Sequence, residues 1–125
     1  MSLSDEERKT MVQLEMERAK RTFQEVEILK EAGLWNGVSN RLYYAVFHAI
    51  SALFIHDGHQ VHTHHGSHAL FGQNYIKTGV LPAEFGKLYN QLQTMREQSD
   101  YNCAFEADPE ELKDKIEPAK QMIDD

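Results

Sequence analysis

Residues 40–55, NRLYYAVFHAISALFI, are the most apolar and aromatic stretch of the chain. Leu42, Ala45, Val46, Ala49 and Leu53 fall on one helical stripe, which Phe47 and Phe54 widen. Apolar side chains over so much of the circumference predict a helix in the middle of a bundle. Beside that stripe runs a second one, Arg41, Tyr44 and His48, at i, i+3 and i+7. Burying an arginine, a tyrosine and a histidine is costly unless each finds a partner. The rest of the chain has to supply those partners.

The flanking pattern is helical throughout. Ser4 followed by Glu7 reads as a capping box, and the acidic first turn suits the helix dipole. That helix runs to about Ala32, where Gly33 stops it. Met11, Leu14, Phe23, Val26 and Leu29 give it a loose apolar stripe with charged faces, the pattern of an outer helix. The second helix starts at Trp35 or Val38 and ends at His56, before Asp57-Gly58. Thr63 is a plausible cap for a third helix over residues 64–77, weakened by Gly66 and Gly72 or opened by them to close backbone approach. Leu81-Pro82 opens a fourth, with Pro at its first position and Phe85, Leu88, Leu92 and Met95 as a clean stripe down to about Asp100. Asp108-Pro109-Glu110-Glu111 opens a fifth, carrying Leu112, Ile116, Ala119, Met122 and Ile123. With no strand signal, the expectation is an all-α, up-down bundle of four or five helices.

Composition narrows this little. A chain of 125 residues predicts one domain, spanning 1–125. A net charge of −7 argues against nucleic-acid binding through the overall field and leaves room for a local basic site. Cys103 is the single cysteine, which excludes an intrachain disulfide and suits a reducing cytoplasm. The first ten residues carry no apolar signal segment, and no run of residues is long and apolar enough to span a bilayer.

Three separated segments carry a resemblance. NRLYYAVFHAISALF resembles the R-x-Y-Y-A-x-F-H/Y-A helix of HEPN-domain proteins, the small helical domains of prokaryotic toxin–antitoxin and nucleotidyltransferase-associated pairs. HTHHGSHALFGQNYIKTGVLP is similar to that family's T-H-x-G connection leading to Leu-Pro. MREQSDY is similar to its R-x-x-(A/S)-D-Y helix end. The resemblance implies a helical bundle, often a homodimer, with a cleft between protomers. It also implies RNA or nucleotide as ligand, no cofactor, and regulation by a nucleotidyltransferase antitoxin. Many family members are metal-independent ribonucleases with an Arg-x4–6-His motif. Arg96 matches the arginine, and Tyr101 stands where the histidine would be. The tyrosine-bearing branch includes toxins whose tyrosine is nucleotidylated by the partner enzyme.

The candidate catalytic residues are therefore Arg96, Tyr101 and His48, with Arg41, Tyr44 and Asp100 as ligand-binding groups. Arg96 would hold a phosphate bidentately. His48 or Tyr101 would accept or donate the proton of an attacking ribose 2′-hydroxyl. Tyrosine ordinarily titrates near ~10, which makes it a poor base at neutral pH. The plainer reading is a polar seam that fixes helix register, with Asp100 paired to Arg41 or Arg96, in a non-catalytic scaffold. Five of the seven histidines, His59, His62, His64, His65 and His68, crowd into one segment. His64 and His68 at i, i+4 are the pair a metal would need, but a solvated cluster at a helix start is the expectation. Cys103 has no partner motif and no predicted role.

Overall fold

The computed structural model describes residues 4–59, 64–102 and 104–124, with the backbone alone at 64 and 65. Five α-helices follow one another: α1 Asp5–Glu31, α2 Trp35–His56, α3 His64–Phe71, α4 Ala83–Tyr101 and α5 Pro109–Asp124. Among the described residues there is no strand. The protein is an all-α bundle, as the periodicity predicts.

The chain ends of the helices follow local chemistry. Ser4 Oγ accepts from Glu7 N at 3.1 Å, and Glu7 Oε1 accepts from Ser4 N at 3.0 Å, so the capping box forms. Gly33 takes φ 73°, and Leu34 N donates back to Leu29 O at 3.0 Å. This six-to-one bond closes α1 and turns the chain straight into α2. Asp108 Oδ1 accepts from Glu110 N at 3.0 Å and starts α5. Pro82 sits one residue before α4, as its cap, rather than at the first helical position.

α2 is the central helix. It packs against α1, α4 and α5, and Val38, Leu42, Tyr43, Ala45 and Val46 are fully buried on it. Leu88, Tyr89, Leu92 and Met95 of α4 and Leu112, Ile116 and Ala119 of α5 complete the core. Pairs such as His48 with Glu15 and Arg41 with Glu25 show α1 running antiparallel to α2. Asn40 with Asp100 and Tyr43 with Arg96 show the same for α4.

The third predicted helix is corrected. It stops at Phe71, and a π-helical turn, Gly72–Ile76, follows, with Lys77 N donating to Gly72 O at 2.9 Å. Gly72 faces open space, so it is not a point of close approach; that occurs at Gly86, where an added Cβ would lie 3.0 Å from Ile76. The wide turn carries Tyr75 into the core, with its hydroxyl donating to Asp57 Oδ2 at 2.6 Å. The proposed cap at Thr63 lies outside the described residues, as does Cys103.

The Tyr75 hydroxyl, and then His56, hold the Asp57 carboxyl below its ordinary pKa. A depressed carboxyl stabilises the fold above the unfolded value near ~3.9 and stops doing so as pH falls through the folded value. We expect Asp57→Asn to flatten the loss of stability below about pH 4. Urea midpoints of both proteins from pH 6 to pH 2 check this; parallel curves would rule the contact out as a source of acid sensitivity.

Candidate functional site

α2 and α4 cross with a polar line between them. Asn40 Nδ2 donates to both Asp100 oxygens, at 3.1 Å and 3.1 Å. Asn40 Oδ1 accepts from Arg41 Nε at 2.8 Å. Arg96 Nη1 donates to Asp100 Oδ2 at 3.3 Å. One amide and one carboxylate thus connect the two arginines. The guanidinium carbons of Arg41 and Arg96 also lie 5.2 and 5.7 Å from the centre of the Tyr44 ring. The two predicted arginines therefore meet at one aromatic ring.

Arg96 is the more unusual of the two, being only 6% exposed at the end region of a helix. Its guanidinium lies 5.0 Å from the Tyr43 ring and 6.0 Å from the Tyr101 ring. A cation on aromatic faces gains more when water is excluded. Burial opposes its charge, but the hydrogen bond to Tyr101 and the pairing with Asp100 outweigh burial and leave its pKa above the usual value. Its Nε is buried with no hydrogen-bond partner. Tyr101 itself is 77% exposed, so the arginine has one aromatic neighbour open to solvent.

The stripe of Arg41, Tyr44 and His48 is not the buried seam of the sequence reading. The side chains of Arg41 and His48 are 36% and 25% exposed. Their carboxylate partners come from α1: Glu25 lies 3.6 Å from Arg41 Nη1, and Glu15 Oε2 lies 2.8 Å from His48 Nδ1. His48 lies two helical turns from Arg41, about 10 Å along α2. The structure ties it to Glu15 and brings it no closer to the Arg96 cluster. Arg41, Tyr44, Arg96, Asp100 and Tyr101 are brought together.

Sequence reasoning missed Asn40 and Tyr43, and weighed His68 only as a metal ligand. Tyr43 is fully buried, and its ring stacks near those of Phe47, Tyr89 and His68. Burial pushes its phenol up to about 12. Tyr89, raised first by burial, shares a 2.8 Å hydrogen bond with Ser67. His68 lies 3.7 Å from the Tyr89 ring centre, with Nδ1 2.7 Å from Asn90 Oδ1. Its Nε2 lies 3.4 Å from the Tyr43 hydroxyl. Nδ1–H donating to Asn90 leaves the Nε2 lone pair facing Tyr43. The adjacent Tyr-Tyr pair was the available signal: the first tyrosine seats the buried arginine and the second meets both arginines.

No group of three or more metal-ligating side chains exists among the described residues, and the side chains of His62, His64 and His65 lie outside them.

These features describe a class: a helical bundle with an arginine–tyrosine cluster between its central helix and α4. A sequence profile of the HEPN domain matches residues 12–125. The chain is 30% identical over 118 residues to a UPF0332 protein of Thermotoga maritima, covering 94% of this chain and 89% of that one. Two proteins of Methanocaldococcus jannaschii named as candidate toxins are similar. MJ0142 is 26% identical, over 77% of this chain and 65% of its own length. MJ0605 is 26% identical, over 90% and 84% respectively. The chain belongs to the HEPN domain family. No described helix is long and apolar enough to cross a membrane.

Proposed function

We propose that this is a toxin-type HEPN protein that binds a phosphate group of RNA or of a nucleotide at the Arg41–Arg96 crevice. The observation that carries the reading is the convergence of both guanidinium groups on the Tyr44 ring, with one of them buried and an Nε donor unused. A planar guanidinium offers paired donors to phosphate, and an exposed tyrosine ring gives a base a face to stack on. The toxin-named relatives support the toxin reading; on the resemblance alone, two such crevices adjoin in a homodimer, with a nucleotidyltransferase as regulating partner. Endoribonuclease chemistry would need a proton-transfer group beside Arg96. Tyr101 touches it, whereas His48 serves Glu15 instead.

A second reading is a non-catalytic scaffold, favoured by the ion pairing. Arg41 already faces Glu25, and Arg96 faces Asp100 and, at 3.9 Å, Glu97. Three carboxylates against two guanidiniums leave no excess positive charge within one protomer.

Titration of a fluorescent single-stranded RNA, followed by anisotropy, separates the two. We expect saturable binding that weakens with salt and falls at least about ten-fold in Arg96→Lys, because lysine lacks the planar fork. Arg41→Gln should weaken binding by a smaller factor. The same samples incubated with RNA and resolved on a denaturing gel report cleavage. Equal binding by the parent and Arg96→Lys would leave the scaffold reading standing.

A further inference from the structure

At the end of the bundle away from the arginines lies an apolar cavity of ≈ 250 Å³. Met16 of α1, Ile50 and Leu53 of α2, Phe71, Phe85 of α4 and Ile123 of α5 lie on its wall, and every lining residue except His56 is apolar. Water gains little in such a space, since it needs polar partners. Arg8 precedes the lining residues Val12 and Met16 by one and two turns on the same face of α1. Its Nη1 lies 3.5 Å from where a Cβ would be at Gly58, two residues beyond His56. Its Nε is buried without a hydrogen-bond partner, and no carboxylate pairs with it among the described residues. Asp57, adjacent to Gly58 in sequence, has its two oxygens taken by His56, at 2.9 Å, and by Tyr75, at 2.6 Å. Asp124, next in sequence to the lining residue Ile123, ends α5 as an exposed acid.

We propose that this cavity binds a medium-chain aliphatic carboxylate, with its tail among the apolar side chains and its head group on Arg8 beside His56. A ~150 Å³ cavity lined by apolar residues houses a benzene ring, so this one accommodates roughly eight to ten carbons. An apolar wall with one unpaired guanidinium at its rim favours an amphipathic anion over a neutral hydrocarbon or a polar metabolite. Arg8 lies outside the arginine–tyrosine crevice, so this site stands whether or not that crevice binds phosphate.

Octanoate is the probe, with 1-octanol as its neutral counterpart, followed by two-dimensional amide NMR on the full chain. Expected are saturable shifts clustered at Leu53, His56 and Ile123, with one octanoate per chain. Arg8→Gln should weaken octanoate at least ten-fold and octanol less than two-fold. Ala49→Met, which fills the cavity from α2, should weaken both at least ten-fold. If that variant fails to fold, the octanoate–octanol contrast in Arg8→Gln decides alone. Equal loss of both ligands in Arg8→Gln, or shifts scattered over the surface, would overturn the proposal. So would binding to anionic vesicles with none to free octanoate, which would make the region a membrane contact.

Discussion

Tyr43→Ala is expected to destabilise the protein by about 3–5 kcal/mol, the usual consequence of deleting a large buried ring. Tyr43 is fully buried on the central helix, and its ring meets Tyr44, Phe47, His68 and Tyr89 as well as the Arg96 guanidinium. Alanine leaves a hole bounded by four aromatic neighbours and an arginine, none of which can collapse into it cheaply. For a domain of this size the change lowers Tm by roughly 10 °C or more. Tyr43→Phe separates the ring from its hydroxyl. It retains the stack and the seat of Arg96, and loses hydroxyl contacts such as those to His68 and Tyr89, a change of about 1 kcal/mol. Urea denaturation of the three proteins measures both steps. A Tyr43→Ala loss below about 1 kcal/mol would mean that the ring does not hold α2 and α4 together.

Alkaline unfolding should begin well below the point at which folded tyrosines ionise. The Tyr43 phenol is pushed up to about 12, first by burial. Tyr75 and Tyr89 are raised as well, again first by burial. An unfolded tyrosine ionises near ~10. The folded form keeps its proton while the unfolded form releases one, so the stabilisation is fully present below pH ~10 and is lost as pH rises toward the folded value. For Tyr43 alone a two-unit gap amounts to about 2–3 kcal/mol by pH 12. The other two act in the same direction, against a total stability of about 5–15 kcal/mol. We expect the urea midpoint to fall steeply between pH 10 and 12. Tyr89→Phe should reduce that slope. A urea midpoint unchanged between pH 10 and 12 would contradict the burial of these hydroxyls.

The arginine–tyrosine cluster and the tyrosine core are one structure. Tyr43 faces inward and Tyr44 outward from adjacent positions of α2, so one ring anchors Arg96 and the next presents it with Arg41. This arrangement explains how an acidic chain keeps a buried guanidinium. The aromatic faces and Asp100 replace the water it has lost.

The helices were legible because each is written locally. Ser4 with Glu7, Gly33, Pro82 and Asp108-Pro109 fix the helix ends through their own backbone and neighbouring atoms. The stripe of Leu88, Leu92 and Met95 fixes the inner face of α4. The π turn was not legible, since Gly72 to Ile76 carries a helix-like pattern. Its widening follows from Tyr75 reaching Asp57, a contact across 18 residues. The stripe of Arg41, Tyr44 and His48 could be seen, but not its partners.

The sequence by itself determined an all-α chain, the central place of residues 40–55 and the pairing of a polar stripe with a buried apolar one. Periodicity and capping act over a few residues and need no tertiary information. Only the folded structure decided that Asn40 bridges Asp100 to Arg41, that Glu15 takes His48, and that Tyr43 seats Arg96. Apart from the bond between neighbours Asn40 and Arg41, those contacts join residues 33 to 60 positions apart, and their strength depends on how completely neighbouring helices exclude water, which no local pattern records.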